Sequence, residues 1–273
     1  MTIFRLLIID PQRDFCDGPC AGALPVPGAD ADMRRLAALV GRLGRRIDRI
    51  LVTLDSHQLY HVANPAWWMD GQGRPPAPFT VIGAEAVESG EWRPRDPAEA
   101  DYARYYVREL ARKGNYPLCI WPPHCLIGTP GHAVHPELMA ALLGWAGEAA
   151  SPISFVTKGG NPRTEHYSAY RAEVEDAADA ATGPNPAMIR FIEGADVVAI
   201  AGEAKSHCVR STVQDLADAL PPEQIAKFLF LDDCSSPVPA IPGGPDFPAI
   251  GEGFVRDLAA RGMRVALSGA VEV

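Results

Sequence analysis

Short runs of aliphatic residues alternate along the chain with longer amphipathic stretches rich in Ala, Arg and Glu. The short runs are apolar throughout, which is typical of strands covered on both faces of a parallel sheet. The pattern predicts strands at Phe4–Ile9, Arg49–Leu54, Ile153–Thr157, Asp196–Ala201, Lys227–Leu231 and Met263–Leu267, with a shorter one at Leu118–Trp121. It predicts helices at Ala29–Ile47, Pro97–Arg112, Pro136–Glu148, Thr164–Ala180, Pro186–Glu193, Cys208–Leu220 and Pro248–Arg261.

This alternation predicts an α/β fold of three layers (αβα), in which helices cover both faces of a doubly wound, mostly parallel sheet. Residues 62–116 interrupt the pattern with three tryptophans, a loop-rich stretch and one good helix. We interpret them as an insertion within a single domain that spans residues 1–273. Its simplest role is to fill out the edge of the core, while a lid and a subunit interface remain alternatives.

Composition narrows the classes of function. The 273 residues are 47% hydrophobic and 22% charged, which is typical of a soluble globular protein. The net charge of −9 argues against nucleic-acid binding, which depends on basic patches. No apolar stretch reaches the roughly 18–20 residues of a membrane helix, and the run Ile3–Ile9 is broken by Arg5, so we expect neither a membrane span nor a signal peptide. The six cysteines lack a CxxC pair, which favours free thiols in a reducing cytoplasm.

Three polar residues lie where functional groups gather in open parallel sheets, just past the carboxyl ends of predicted strands. Asp10 and Lys158 end two strands, and Cys208 opens the helix after a third. Singly, each has an ordinary structural interpretation: a turn aspartate, a solvated lysine, a core cysteine. Together they suggest nucleophilic catalysis, because an ammonium and a helix N-terminus stabilise a thiolate and a carboxylate can carry its proton. Small residues at Gly202 and Ala204 would let backbone N–H groups approach an oxyanion.

A second group of residues has the chemistry of a metal site. Asp55 and His57 follow the strand RILVTL, His61 lies close behind, and His124 follows two prolines. Imidazoles combined with a carboxylate suit Zn²⁺, Fe²⁺ or Mn²⁺. Surface histidines are the alternative, but two histidines beyond the Asp-x-His pair favour a metal. We interpret the remaining histidines, including His207 beside the candidate nucleophile, as structural.

At this point the chain resembles the isochorismatase-like cysteine hydrolases and, within them, the nicotinamidases. The stretches that carry the resemblance extend from residue 6 to residue 212: LLIIDPQRDFC, GALPVPGA, TLDSH, WPPHCLIGTPG, SFVTKG and AGEAKSHCVRST. The resemblance implies the isochorismatase-like fold and a catalytic triad of Asp10, Lys158 and Cys208. It also implies a site for one divalent metal ion, with zinc first and iron or manganese as alternatives, and no organic cofactor. The implied metal ligands are Asp55, His57 and His124, with His61 as an additional histidine.

The resemblance further implies a substrate pocket and an oxyanion hole. Phe15, Trp121 and Tyr167 would form the aromatic pocket. The backbone N–H groups of Ala204 and Cys208 would hold the oxyanion, next to a cis peptide bond between Glu203 and Ala204. The turn before the nucleophile departs from the usual pattern of an aliphatic residue followed by Ala-Thr-Asp, since it reads Glu-Ala-Lys-Ser over residues 203–206.

The implied activity is hydrolysis of a small amide, nicotinamide first, to nicotinate and ammonia through a thioester. Three alternatives remain: a family amidase acting on another small amide or carbamoyl compound, a hydrolase in which metal-bound water attacks and Cys208 is passive, and a catalytically silent small-molecule binder. This activity would link the enzyme to NAD salvage, with a small-molecule amide as its partner. Cysteine usage favours a cytoplasmic location, and charge and hydropathy favour neither nucleic acid nor membrane as a partner. A homo-oligomer is an open expectation, since assemblies are common in this family.

Overall fold

The structure, a computed structural model, describes residues 2–18, 21–240 and 245–273. Its strands are β1 Phe4–Ile9, β2 Ile47–Asp55, β3 Trp68–Met69, β4 Val81–Ile82, β5 Arg93–Pro94, β6 Leu118–Cys119, β7 Ser154–Lys158, β8 Val197–Gly202, β9 Phe228–Leu231 and β10 Arg264–Ala266. The helices are α1 Ala29–Leu43, α2 Ala84–Glu88, α3 Ala100–Lys113, α4 Pro136–Ala149, α5 Pro186–Glu193, α6 Arg210–Ala219 and α7 Phe247–Ala260. The central sheet is parallel and has the order β10–β9–β8–β1–β2–β7.

Helices cover both faces of this sheet, which confirms the predicted three-layer α/β fold. On one face, Leu6 and Ile8 of β1 share a hydrophobic cluster with α1 and α4. On the other face, Leu7 and Ile9 share a cluster with α3, α5, α6 and α7. Successive side chains of a strand point to opposite faces, so a strand that is buried on both sides must be apolar at every position.

The predicted strands of the central sheet are all present, with ends within two residues of the predicted ones. The predicted strand Leu118–Trp121 is shorter and lies outside that sheet, because β6 pairs with β4 in a separate antiparallel ladder. The first predicted helix was too long. It ends at Leu43 because Gly44 takes a positive φ of 51°, and β2 then starts at Ile47.

The predicted helix Thr164–Ala180 is wrong, because this segment is an irregular loop. Its residues are good helix formers, but several of its backbone N–H groups bond to side chains instead of to the preceding turn. The N–H of Ala169 donates to Oγ1 of Thr212 at 3.0 Å, and that of Val174 donates to Oγ1 of Thr164 at 3.3 Å. Tertiary contacts of this kind override local helix propensity.

Residues 62–116 pack on the sheet. Trp67, Trp68 and Tyr106 are buried in the same hydrophobic cluster as the residues of β1 and β8 on that face. Within the described residues, no helix is both long and apolar enough to cross a membrane. The cysteines of that part of the chain are all free thiols, and Cys20 lies outside it.

The chain order of the strands creates a crevice at the centre of the sheet. After β1 the sheet grows outward through β2 and β7, and the chain then returns to place β8 on the other side of β1. Such a switch point opens a cleft at the carboxyl ends of the two neighbouring strands, here β1 and β8. Asp10 follows the first of these strands, and the turn that leads to Cys208 follows the second.

Candidate active site

The turn after β8 presents Cys208 at the floor of the crevice. A single π-helical turn, Lys205–Val209, carries the cysteine directly into α6. Gly202 ends the strand at a φ of 122°, and a Cβ there would lie 1.9 Å from the carbonyl oxygen of Ile9, so only glycine fits. One residue further on, the peptide bond between Glu203 and Ala204 is cis, as the resemblance implies.

The three residues of the proposed triad meet around the ammonium of Lys158. Its Nζ lies 2.9 Å from Oδ2 of Asp10 and 3.5 Å from Sγ of Cys208. It also donates hydrogen bonds to Oδ1 of Asp55 at 2.9 Å and to the carbonyl oxygen of His166 at 2.7 Å. All of these side chains are buried, so their interactions are only weakly screened by solvent.

The charges of the triad favour a resting thiol beside an ion pair. Burial raises the pKa of the Cys208 thiol well above its ordinary value, and the opposing effect of Lys158 does not overcome this. Burial likewise raises the pKa of Asp10, although Lys158 lowers it. Burial alone would lower the pKa of Lys158, but the carboxylates of Asp10 and Asp55 raise it well above the usual value, so this side chain stays cationic.

Thr53 fixes the position of the Asp10 carboxylate. Its hydroxyl donates to Oδ1 of Asp10 at 2.6 Å and accepts the backbone N–H of the same residue at 3.0 Å. Asp10 has a positive φ of 45°, a conformation that aspartate tolerates better than most residues. The two bonds to Thr53 therefore leave Oδ2 to face Lys158.

One backbone N–H group near the nucleophile has no acceptor among the described residues. Ala204 is buried, and within the described residues its N–H donates to no other group. A buried N–H without a partner is costly, so one that faces a cavity is a candidate donor for a ligand oxygen. Ala204 and Cys208 line the same cavity.

Asp55, His57 and His124 have the geometry of a metal site. One potential ligand atom from each lies within 4.8 Å of the others, and all three side chains are buried. The Nδ1 atoms of His57 and His124 lie 3.3 Å and 2.8 Å from the carbonyl oxygens of Gly159 and Pro122. A carbonyl that accepts Nδ1–H leaves Nε2 as the nitrogen that would ligate a metal in place of a proton, which is the usual arrangement of a ligating histidine. The Nε2 atoms lie 2.9 Å and 3.4 Å from Oδ2 of Asp55.

The turn after β7 brings the triad and this cluster together. Gly159 follows Lys158 with a φ of 78°, and a Cβ at this position would lie 2.7 Å from Cε1 of His57. Glycine is therefore required for His57 to sit against this turn.

His61 lies beside this cluster in a different grouping. One ligand atom each from His57, His61 and Glu165 also lie within 4.8 Å of one another. Both ring nitrogens of His61 contact the backbone, since Nδ1 accepts the N–H of Ala63 at 3.2 Å and Nε2 lies 3.1 Å from the carbonyl oxygen of Thr164.

The aromatic residues named from the sequence line one cavity next to Cys208. Phe15, Trp121 and Tyr167 surround it together with Asp55 and His124. Nε1 of Trp121 donates to the hydroxyl of Tyr167 at 3.1 Å, and the rings of Phe15 and His124 meet edge to face at 5.5 Å. The cavity is thus apolar around its sides, with the thiol at its floor and the metal-type cluster on one wall.

Six further residues line this cavity that sequence reasoning did not place there: Leu24, Pro25, Val26, Glu165, His207 and Val238. Glu165 belongs to the segment that was predicted as a helix, and Val238 follows β9 in an irregular stretch. His207 was interpreted as a neighbour of the nucleophile only. It lies among Tyr116, Trp121, Tyr167 and Phe247, and burial lowers its pKa to about 3, so its ring is neutral. In the sequence, the only indication that His207 belongs to the pocket is its position directly before Cys208.

The sequence has relatives of known activity, although no protein-family model matches it. The nicotinamidase of Acinetobacter baylyi is 24% identical over 231 residues, which cover 85% of this chain and 80% of the relative. The nicotinamidase/pyrazinamidase of Mycobacterium tuberculosis is also 24% identical, over 77% of this chain and 76% of its own length.

Solved structures share the fold along nearly the whole chain. The yeast nicotinamidase bound to the inhibitor nicotinaldehyde has a TM-score of 0.63 at 20% identity and covers 97% of this chain and 100% of its own. The pyrazinamidase of Pyrococcus horikoshii in complex with zinc has a TM-score of 0.55 at 20% identity, over 97% and 98%. An isochorismatase family protein from Desulfovibrio vulgaris has a TM-score of 0.51 at 17% identity, over 99% and 96%. The chain is thus similar in sequence to nicotinamidases, and it shares the fold of solved nicotinamidases and of an isochorismatase family protein.

Proposed function

We propose that the protein hydrolyses a small aromatic amide, nicotinamide first, to the acid and ammonia through a thioester on Cys208. The observation that carries this proposal is the position of Lys158, 3.5 Å from the thiol and 2.9 Å from the Asp10 carboxylate, below an aromatic cavity. A nucleophile, a base and a fixed positive charge at one point are the elements of covalent acyl transfer.

In the first half of the reaction, Asp10 accepts the thiol proton as the sulfur attacks the amide carbon. The raised pKa of Cys208 means that the thiol does not ionise by itself, so a base is needed at the moment of attack. Lys158 stabilises the developing thiolate. The carbonyl oxygen becomes an oxyanion held by the backbone N–H groups of Ala204 and Cys208.

The intermediate collapses when the C–N bond breaks. Asp10 returns its proton to the leaving nitrogen, which departs as ammonia and leaves an acyl thioester on Cys208. Asp10, again ionised, takes a proton from a water molecule as that water attacks the thioester. The C–S bond then breaks, the carboxylic acid is released, and the thiolate recovers its proton from Asp10.

Asp55, His57 and His124 would hold a divalent metal ion. The donor set fits, because the Nε2 atoms of two imidazoles converge on one carboxylate and both rings are oriented by backbone carbonyls. When bound, the ion supplies a Lewis-acidic anchor for the ring nitrogen of the substrate. His61 and Glu165 are the candidates for a further ligand. Zinc is the first choice, since a pyrazinamidase of this fold was solved with zinc.

The walls of the cavity favour a flat aromatic ring. Phe15, Trp121 and Tyr167 line the same cavity as Cys208, and aromatic side chains pack well against a flat ring. The yeast nicotinamidase binds nicotinaldehyde, a pyridine that carries an aldehyde group where nicotinamide carries its carboxamide. A pyridine carboxamide therefore suits both the aromatic walls and the metal-type cluster here.

We also infer that residues 1–273 act as one cysteine-hydrolase domain, because the tryptophans of the insertion share a hydrophobic cluster with the sheet. An enzyme with this activity would serve NAD salvage. Free thiols and the need for an unoxidised nucleophile suit a reducing cytoplasm.

The test is release of ammonia from nicotinamide by purified protein loaded with Zn²⁺, with Cys208→Ala as the control. We expect turnover in the wild type and a loss of at least about 1000-fold in the variant. Iodoacetamide should abolish the activity in step with modification of Cys208. Activity that survives complete alkylation would instead support attack by metal-bound water, and tight binding of nicotinamide without product would support a silent binder.

A further inference from the structure

Three residues in the turn before the nucleophile have buried polar side chains, and each forms a hydrogen bond with one other segment of the chain. Glu203, Lys205 and Ser206 are all almost fully inaccessible to solvent. That segment is residues 235–238, which have no regular structure and are called the cover segment below. The side chain of Lys205 also bonds to Asp232 and Glu252, outside the segment. Burial of polar groups is costly unless they are bonded, so this concentration of contacts stabilises one arrangement of the two segments.

The cover segment is bonded to the turn along its length. The N–H of Lys205 donates to the carbonyl oxygen of Ser236 at 2.8 Å. In the opposite direction, the N–H of Ser236 donates to Oε2 of Glu203 at 3.2 Å, and the N–H of Val238 donates to Oγ of Ser206 at 3.1 Å. Two of these three bonds therefore use side chains of the turn as acceptors for backbone N–H groups of the cover segment.

Lys205 anchors the turn to the elements on either side of the cover segment. Its Nζ donates to Oδ1 of Asp232 at 2.7 Å and to Oε1 of Glu252, on α7, at 2.6 Å. The lysine side chain is only 4% exposed, whereas those of Asp232 and Glu252 are 40% and 54% exposed. A buried ammonium needs both carboxylates, but the carboxylates could be hydrated without it.

Glu203 connects the same segment to α1. Oε2 of Glu203 accepts the N–H of Ser236, and burial together with the nearby Asp32 carboxylate of α1 raises the pKa of Glu203 well above its usual value. The hydroxyl of Ser236 also donates to Oδ2 of Asp32 at 2.6 Å. The cover segment is thus held from two sides.

Val238 connects this network of hydrogen bonds to the cavity. It lines the cavity above Cys208 and packs against Val26, Ala29 and Ala204. The hydroxyl of Ser206, which accepts the N–H of Val238, also lies 3.0 Å from Nδ1 of His207, a second residue that lines the cavity. One hydroxyl therefore fixes two neighbouring parts of the wall.

We propose that Glu203, Lys205 and Ser206 are positioning residues that hold Val238 as a fixed wall of the pocket and so restrict it to single-ring amides. The restriction to amides rests on the proposed function, whereas the fixed wall does not. Loosening any of these contacts releases Val238, widens the entrance to Cys208 and admits larger ligands.

The wall is tested by the rates at which two reagents alkylate Cys208, followed by mass spectrometry of its peptide. Iodoacetamide and iodoacetanilide react by the same chemistry with the same thiolate and differ by a phenyl ring. Their rate ratio therefore cancels any change in the ionisation of the thiol and reports access alone. Turnover is not required, so a failure of the proposed function leaves this measurement intact.

We expect Ser206→Ala and Lys205→Met to raise the ratio of anilide to amide rate roughly fivefold, the equivalent of one lost hydrogen bond. Lys205→Arg should restore most of the wild-type ratio. The matched control is Ser235→Ala, because the buried hydroxyl of Ser235 in the cover segment has no partner within the described residues. Its ratio should match that of the wild type.

If nicotinamide is a substrate, the same variants should narrow the preference in kcat/KM for nicotinamide over quinoline-3-carboxamide by a similar factor. Equal ratios in wild type, Ser206→Ala and Lys205→Met would overturn the proposal, provided that thermal melting shows folded proteins. If Ser206→Ala does not fold, the test is the alkylation rate ratio of Lys205→Met compared with that of Lys205→Arg. We expect Lys205→Met to fold, because the carboxylates of Asp232 and Glu252 are exposed and can be hydrated without the lysine.

Discussion

A single carboxylate joins the proposed nucleophilic centre to the proposed metal site, because Oδ1 of Asp55 accepts a hydrogen bond from Nζ of Lys158 at 2.9 Å. The other oxygen, Oδ2, faces Nε2 of His57 and of His124. Burial would raise the pKa of Asp55, but His57 and Lys158 lower it well below its usual value, so the group is ionised. A substitution of Asp55 should therefore affect both the metal site and the nucleophilic centre, whereas a substitution of His124 should affect the metal site alone.

This shared carboxylate gives a prediction for Asp55→Asn and His124→Ala in metal-free protein. Both variants should bind zinc at least about tenfold more weakly, as measured by competition with a chelator. Only Asp55→Asn should change the reactivity of Cys208, because the Asp55 charge raises the pKa of that thiol. We expect several-fold faster alkylation by iodoacetamide in Asp55→Asn and an unchanged rate in His124→Ala. Equal rates in the two variants would show that the sites are independent.

A second prediction concerns the further metal ligand. Glu165 lies on the cavity wall with Oε1 4.0 Å from Nε2 of His57, while both nitrogens of His61 contact the backbone. We therefore expect Glu165→Gln to weaken zinc binding by about tenfold. His61→Gln should change zinc binding little. Isothermal titration of the two apo-proteins with zinc measures this directly. The reverse order would assign the additional ligand to His61.

A third prediction concerns Thr53, which holds the proposed base. Thr53→Val keeps the shape of the side chain but leaves the Asp10 carboxylate and its N–H without their partner. We expect the free energy of unfolding to fall by about 1–3 kcal/mol. The Thr53 hydrogen bond also lowers the pKa of Asp10, so its loss should move the acid limb of the pH–activity profile to higher pH. An unchanged profile would mean that Asp10 is not the titrating base.

The layers of the fold and the proximity of Asp10, Lys158 and Cys208 were accessible from the sequence for a physical reason. Strands buried on both faces must be apolar throughout, so β1 and β8 stand out as continuous runs. The carboxyl ends of neighbouring parallel strands share one edge, so Asp10 and Cys208 could be expected to meet, and the structure places Lys158 within 3.5 Å of the thiol. The apolar pattern predicted the strands, and the topology of a parallel sheet predicted that the residues at their carboxyl ends lie close together.

The remaining parts of the pocket come from segments without a periodic pattern. Glu165 lies in a loop that helix propensity assigned incorrectly, because its backbone bonds to side chains that are distant in sequence, such as Thr212. Val238 is positioned by Ser206, which lies 32 residues earlier in the chain. No spacing rule relates such residues, so the wall of the pocket could be described only from the folded chain.

The last prediction uses the neutral histidine in the wall of the pocket. Burial, with a smaller contribution from Arg210, lowers the pKa of His207 to about 3, against 6.5 for an exposed histidine. Between these values the unfolded chain binds a proton at this residue and the native protein does not. Stability therefore rises with pH through this range and is lost on acidification below pH 6.5, by at most about 1.4 kcal/mol per pH unit from this group.

Replacing His207 with Phe removes this proton uptake while keeping an aromatic ring among Tyr116, Trp121 and Phe247. Urea denaturation at pH 7.0, 5.5 and 4.5 gives the free energy of unfolding of both proteins. Other titrating groups contribute equally to the two, so their difference isolates His207. We expect the variant to lose less stability than the wild type as the pH falls, with the gap widening by about 1 kcal/mol or more between pH 5.5 and 4.5. Parallel curves would mean that His207 takes up a proton in the native protein, and its neutral ring could then no longer be assumed in the pocket.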